Sequence, residues 1–297
     1  DPGGAYSSAG LCTDCHKVIA GFERHLIYLE SWKDLYPLQR SWGVWEIHNI
    51  LLRNSTPTAL FARGEGERLL QELREDDQGF SKRLASLRVQ DATSPSPGDK
   101  CAVDAAFAAC SPQALDELNA RLPRLFAAWL IDCTGVNTLP VGIGCDADGA
   151  CMPISHVPDA DPAQDLLVWA CQKSIVGHVL YDIGERDSAL ALYNDAAAVF
   201  LSSSDPSALV AAGLTRKHIA KVLVDRGELN AALTVLHSAM ANLKAAHGTH
   251  VDHSVASVML EIAIVAKDQG NLNLALNRVQ AALDIRRELY QRSATEA

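Results

Sequence analysis

Three stretches toward the end of the chain repeat one another at an interval of 43 residues, and that register limits what the chain can fold into. Aligned on glycine, the columns read Gly184, Gly227 and Gly270. Two residues earlier stand Asp182, Asp225 and Asp268, and five residues later Ala189, Ala232 and Ala275, followed by Leu190, Leu233 and Leu276. A further column holds Ala196, Ala239 and Ala282. Upstream lie Gly177, Ala220 and Ala263, preceded by Val176, Ile219 and Ile262. A fixed period of this size signals stacked supersecondary units, each too small to bury its apolar face alone. The spacing predicts a helix ending before each glycine and a turn at the glycine, where positive φ is useful. A second helix follows, whose small residues three or four apart let neighbouring backbones approach.

The set Gly177, Gly184, Ala189, Tyr193 and Ala196 resembles the tetratricopeptide repeat family, with Leu236 and Val279 at the bulky position of the later repeats. Lys173, Arg216 and Met259 stand where that family carries tryptophan, and the period exceeds its usual 34 residues, as in the extended repeats of kinesin light chains. The resemblance covers about residues 165–292. It implies three helix pairs stacked as an α-solenoid, with a groove lined by the first helix of each pair that docks a protein partner. Lys173, Arg216 and Lys217 are the expected lining residues.

A chain of 297 residues accommodates two domains, and 48% hydrophobic with 21% charged residues describes a folded protein. The expected division is a helical, cysteine-rich region over residues 1–164 and the repeats over 165–297, the whole being all-α. Ala102–Asp132 reads as helix. Ala92–Lys100 reads as an exposed connector, and Thr134–Asp165 as an irregular stretch in which Cys145 and Cys151 pinch a turn. His247, His250 and His253 read as exposed loop histidines. A formal charge of −10 argues against nucleic acid as the main partner. No apolar run reaches the ~18 residues of a membrane helix. The nucleophile elbow, phosphate loop and His-Glu-x-x-His helix are absent, so the expectation is a protein without enzymatic activity.

Six of the eight cysteines, Cys101, Cys110, Cys133, Cys145, Cys151 and Cys171, form an even set consistent with up to three disulfides. Buried free thiols are the other reading. The disulfide reading carries the expectation of a periplasmic or otherwise extracytoplasmic location, and Asp1 in place of methionine reads as a processed start.

The remaining pair sits in Leu11-Cys12-Thr13-Asp14-Cys15-His16. Cys-x-x-Cys-His resembles the haem attachment site of c-type cytochromes. The resemblance implies one covalent haem c per chain, held by the Cys12 and Cys15 thiols with His16 ligating iron. For the other axial position the candidates are His48, in an expected helix Val44–Leu52, and Met152, whose Met152-Pro153 resembles the methionine region of class I cytochromes. His25 is set aside because, on a continuous helix through Val18, Ile19, Phe22, Leu26 and Leu29, it faces away from His16. Trp32, Trp42 and Trp45 are expected to wall an apolar pocket.

The same motif also suits a zinc site, which wants further ligands, or a redox dithiol. Beside tetratricopeptide repeats it resembles cytochrome c maturation proteins, with Leu11 in place of their arginine. The leading expectation is an electron-transfer subunit that meets redox partner proteins and docks through its repeats onto a larger redox or photosynthetic assembly. The alternative is a haem-free repeat scaffold with structural disulfides.

Overall fold

The computed structural model describes residues 14, 17–33, 35–138, 143–145, 151–153, 162–247 and 252–296. The chain is all-α: helices supply nearly all the regular structure, and the strands among the described residues are only three or four residues long. It divides into two compact units, Asp1–Asn137 with Asp182–Glu185, and Thr138–Tyr181 with Arg186–Ala297.

The first unit departs from expectation at its start. Residues 17–20 are helical, the chain turns at Gly21, and Leu26–Leu29 forms a strand, β1. The continuous helix expected through Leu29 is therefore broken, and β1 pairs in parallel with β2, Thr58–Phe61. Parallel neighbours need a crossover connection. Here it comprises α1, Tyr36–Gln39, and α2, Ser41–Leu52. Close packing of these two helices depends on Gly43, where a Cβ would fall 2.1 Å from the carbonyl oxygen of Pro37.

Helices α3, Glu65–Ser86, α4, Pro97–Cys110, and α5, Ala114–Thr134, complete the unit. The single helix expected over Ala102–Asp132 is thus two, interrupted at Ser111, whose hydroxyl accepts from Gln113 N at 3.1 Å. Part of the expected connector is helical as well, since Pro97 opens α4 and the Ser96 hydroxyl caps it. On α5, Leu118, Leu122, Leu125 and Phe126 are in the core, and Leu115 is half-buried. Trp129, fully buried, donates from its indole nitrogen to Pro57 O at 2.7 Å. Trp32 stacks on Phe61 of β2 at 5.1 Å. Buried Glu65 accepts from Ser31 Oγ at 2.8 Å and Trp32 N at 3.0 Å, so its carboxylate is not left unsatisfied.

The second unit opens with an antiparallel pair, β3, Ile143–Cys145, and β4, Cys151–Pro153, in a register that sets Cys145 opposite Cys151. Six helices follow: α6, Pro162–Asp182; α7, Arg186–Ser202; α8, Pro206–Asp225; α9, Leu229–His247; α10, His253–Asp268; and α11, Leu272–Glu296. Helix α8 packs on α7 and α9, α9 on α10, α10 on α11, and α8 also touches α10, a succession compatible with a solenoid.

The repeated columns have the physical roles their residue types suggest. Gly184, Gly227 and Gly270 take φ of +94°, +77° and +79°. At the second of these, Glu228 N reaches Leu223 O and Gly227 N reaches Val224 O, both at 2.8 Å, the bond pair that closes a helix end around a left-handed residue. One contact recurs a period later: Arg226 pairs with Asp187, and Gln269 Nε2 donates to Asn230 Oδ1 at 2.9 Å. Ala189, Ala196, Ala232, Ala239 and Ala282 are fully buried.

At Gly177 an added Cβ would fall 2.8 Å from Tyr193 Cε1, within a ring that is itself buried. The second repeat holds Ala220 and Leu236 at the same columns, so a methyl is accommodated there by a slimmer partner. Gly177→Ala is expected to cost about 1–2 kcal/mol of stability through overpacking, measured by urea unfolding. Adding Tyr193→Leu should recover part of that loss; a double variant no more stable than Gly177→Ala would show that the ring is not what the glycine makes room for.

Candidate functional site

In the first unit, a cavity of about 440 Å³ opens between the segment leading into β1 and one face of α2. Ile19, Phe22, Leu26 and Ile27 line it from one side. Gly43, Glu46, Ile47 and Ile50, at i, i+3, i+4 and i+7 on one helix face, line it from α2. The volume lies within the ~300–1,000 Å³ of small-molecule sites. Arg24, His25, Tyr28 and Glu46 add polar groups to the wall, and burial pushes the Glu46 carboxyl above its ordinary value against the Arg40 charge. His25 Nε2 sits 3.0 Å from Ile19 O, which takes the ring N–H and leaves Nδ1 with the lone pair. That Nδ1 is buried and has no hydrogen-bond partner.

The helix ends before His25, so helix phase does not set the direction of that side chain, contrary to expectation. His48 is in a helix as expected, but on another side of α2. Its ring lies 4.8 Å from Phe107 of α4 and 5.8 Å from Trp45, and its Nε2 is buried without a hydrogen-bond partner. Burial and then the Arg121 charge hold its pKa below the ordinary histidine value. None of Trp32, Trp42 and Trp45 lines the cavity. Cys12, Cys15 and His16 lie outside the described residues. Met152 is on β4, paired with Gly144, in the second unit.

Among the other cysteines, Cys101 and Cys110 are exposed on α4 and Cys133 is half-buried near the end of α5, each as a thiol. Burial pushes the Cys133 thiol up, with the Glu65 charge adding to it, which keeps the thiol protonated and unreactive at neutral pH. Of the histidine run, His253 opens α10 and residues 248–251 lie outside the described set.

In the second unit, the first helices of the three pairs, α6, α8 and α10, touch along a polar row. Ser174 Oγ and Thr215 Oγ1 are 3.4 Å apart, and the His178 and His218 rings 4.0 Å. Lys217 Nζ donates to Ser257 Oγ at 3.2 Å, and Lys221 pairs with Glu261 at 3.8 Å. Lys173, expected to line a groove, is instead buried: its ammonium lies 4.2 Å from the Trp169 ring centre and pairs with Asp195. A buried ammonium needs such compensation.

These neighbours were missed because they are offset by 40 or 41 residues, not 43. A scan for chemically matched pairs at 40 would have found His178 with His218 and Lys221 with Glu261. Those two pairs are equivalent, since 178 and 218 become 221 and 261 one period later. The first joint between repeats therefore holds two imidazoles where the second holds an ion pair.

No protein-family model matches this sequence, and comparison with curated proteins gave no match.

Burial, then the His178 ring and the Lys217 and Lys221 ammonium groups, hold His218 well below the ordinary histidine value. The folded protein keeps this ring neutral where the unfolded chain protonates it, near pH 6.5. As pH falls from there toward the folded pKa, only the unfolded chain takes the proton, so stability declines by at most about 1.4 kcal/mol per pH unit. Replacing the pair by its counterpart, His178→Lys with His218→Glu, is expected to flatten urea stability between pH 6.5 and 5 relative to the wild type. Equal slopes in the two proteins would mean that this joint is not the acid-sensitive one.

Proposed function

We propose that the chain is an electron-transfer subunit of c-type cytochrome character whose repeats dock it to a protein assembly outside the cytoplasm. The observation that carries this reading is the conjunction of Cys12-x-x-Cys15-His16 with a cavity, lined mostly by apolar residues, whose wall begins at Ile19. Three residues of chain reach at most about 11 Å, so a haem tethered at His16 is within range of that wall. Cys12 and Cys15 would hold it by thioether bonds, and His16 would ligate the iron. When bound, the haem supplies the one-electron couple. Phe22, Leu26, Ile27, Ile47 and Ile50 would keep water from the macrocycle. Arg24 would neutralise a propionate, and the His25 Nδ1 lone pair is the unpaired nitrogen that the described cavity wall offers. Redox partner proteins would meet this unit, and α6, α8 and α10 would receive a helix or an extended segment of the docking partner.

A haem-free scaffold is the second reading, and one observation favours it: His48 packs against Phe107 and is not among the residues lining the cavity. In that reading the facing backbone positions of Cys145 and Cys151 would carry a structural disulfide.

Acid-acetone treatment followed by pyridine haemochrome spectroscopy separates the two readings, with one c-type haem per chain expected to survive extraction. Iron-free protein carrying a Cys12–Cys15 disulfide in its mass spectrum would sink the cytochrome reading. In haem-bearing protein, His25→Ala is expected to convert a low-spin spectrum to a high-spin one. His48→Ala should leave the spectrum intact while lowering stability by about 1–3 kcal/mol, the scale of a lost core side chain. The reverse outcome would make His48 the residue that holds the iron beside His16, and two unchanged spectra would point to Met152.

A further inference from the structure

Helix α11 has two apolar faces. One packs on α10 through Ala282 and Ile285, both buried, with Leu289 beside them. The other carries Leu272, Leu276, Val279, Leu283 and Tyr290, which are 66%, 67%, 44%, 40% and 76% exposed. The repeat register shows how unusual that exposure is. Val279 occupies the column of Tyr193 and Leu236, which are 1% and 0% exposed, and Leu283 the column of Ala197 and Met240, at 5% and 8%. In the first two pairs the following helix, α8 or α10, packs against the second helix. On α11 the corresponding surface is exposed.

The spacing on this open face says what fits it. From Leu272 the stripe advances by 4, 3, 4, 3 and 4 residues through Leu276, Val279, Leu283 and Arg286 to Tyr290. This is the alternation of a coiled-coil seam, and it reads the same in both directions. Two antiparallel copies related by a two-fold axis would set Leu272 against Tyr290, Leu276 against the aliphatic stem of Arg286, and Val279 against Leu283. Along the edge, Gln280 would meet Gln280 and Arg287 would meet Asn273, so no like charges face each other. The stripe holds a single charge, which gives a strongly acidic or basic partner nothing to pair with.

We infer that α11 is a self-association surface, on which a second copy of this chain seats its own α11 antiparallel. The stripe is about 27 Å long, and one helix pair of that length buries less than the roughly 1,200 Å² of standard interfaces. The dimer is accordingly reversible and concentration-dependent. It does not depend on whether haem is present.

Sedimentation equilibrium on the full chain tests this, with mass expected to rise with concentration from 31.9 kDa toward twice that value. Val279→Glu and Leu283→Lys, each at a partly exposed position, should each be monomeric with unchanged helical circular dichroism. An equimolar mixture of the two should dimerise again, because in the antiparallel register residue 279 of one copy meets residue 283 of the other. Wild-type protein that stays monomeric up to about 1 mM, a dimer indifferent to both substitutions, or variants whose mixture remains monomeric would each overturn the inference. In the first case the face would belong to a helix of another chain or segment.

Discussion

The close approach of helix backbones at the small-residue columns is the constraint on which the second unit rests. At Gly177 the first helix of the first pair meets the Tyr193 ring on the second, and in the second pair Ala220 and Leu236, at the same columns, are buried in one cluster. In the third pair the bulky column, Val279, is exposed. Tyr193 then stacks at 5.6 Å on His218 of the next pair, so the ring admitted by the glycine also forms part of the joint with its neighbour. Packing within a pair and packing between pairs are thereby linked through one side chain. The left-handed glycines do the rest, turning each helix back at a fixed position so that the columns stay in phase.

The first unit is organised differently. Its core is assembled around α5 and the aromatic stack of Trp32 and Phe61, and no repeated column sets the distances. A short parallel strand pair forces a crossover, and the crossover holds one face of α2 beside the segment that follows the cysteine motif. Gly43 lets α1 lie tightly against α2, while Trp45 and His48 of α2 pack against Phe107 of α4. Helix α2 thus has a packed aromatic core on one side and the cavity on the other, and the residue at each turn decides which of the two it serves.

How much of this was legible in the sequence depends on the range over which each signal acts. The glycine turns and the alanine columns are periodic and local; the three glycines turn the chain where their spacing put them, and all but one of Ala189, Ala196, Ala232, Ala239, Ala275 and Ala282 are buried. Leu26–Leu29 was read as helix because an apolar stripe of four residues fits either period, and Gly21, which breaks the helix, is a single position. His25 was discarded on the strength of that same continuity. The burial of Lys173 was not legible either, since nothing in its neighbourhood announces that Asp195 and Trp169 compensate it. His178 and His218 were invisible to a register of 43 because side chains on stacked helices touch across a stagger that the period does not contain.

That stagger has a geometric consequence for anything laid across the first helices. Contacts at 40 residues in a period of 43 mean that each first helix is slid by about three residues, some 4.5 Å, relative to the one before. A bound segment crossing them at right angles would not meet equivalent positions. It would read an oblique line, one residue type from each helix taken nearly one turn apart. Sequence preference in such a surface is therefore written along a diagonal of the repeat alignment, and substitutions chosen down a single column would sample three different parts of the ligand.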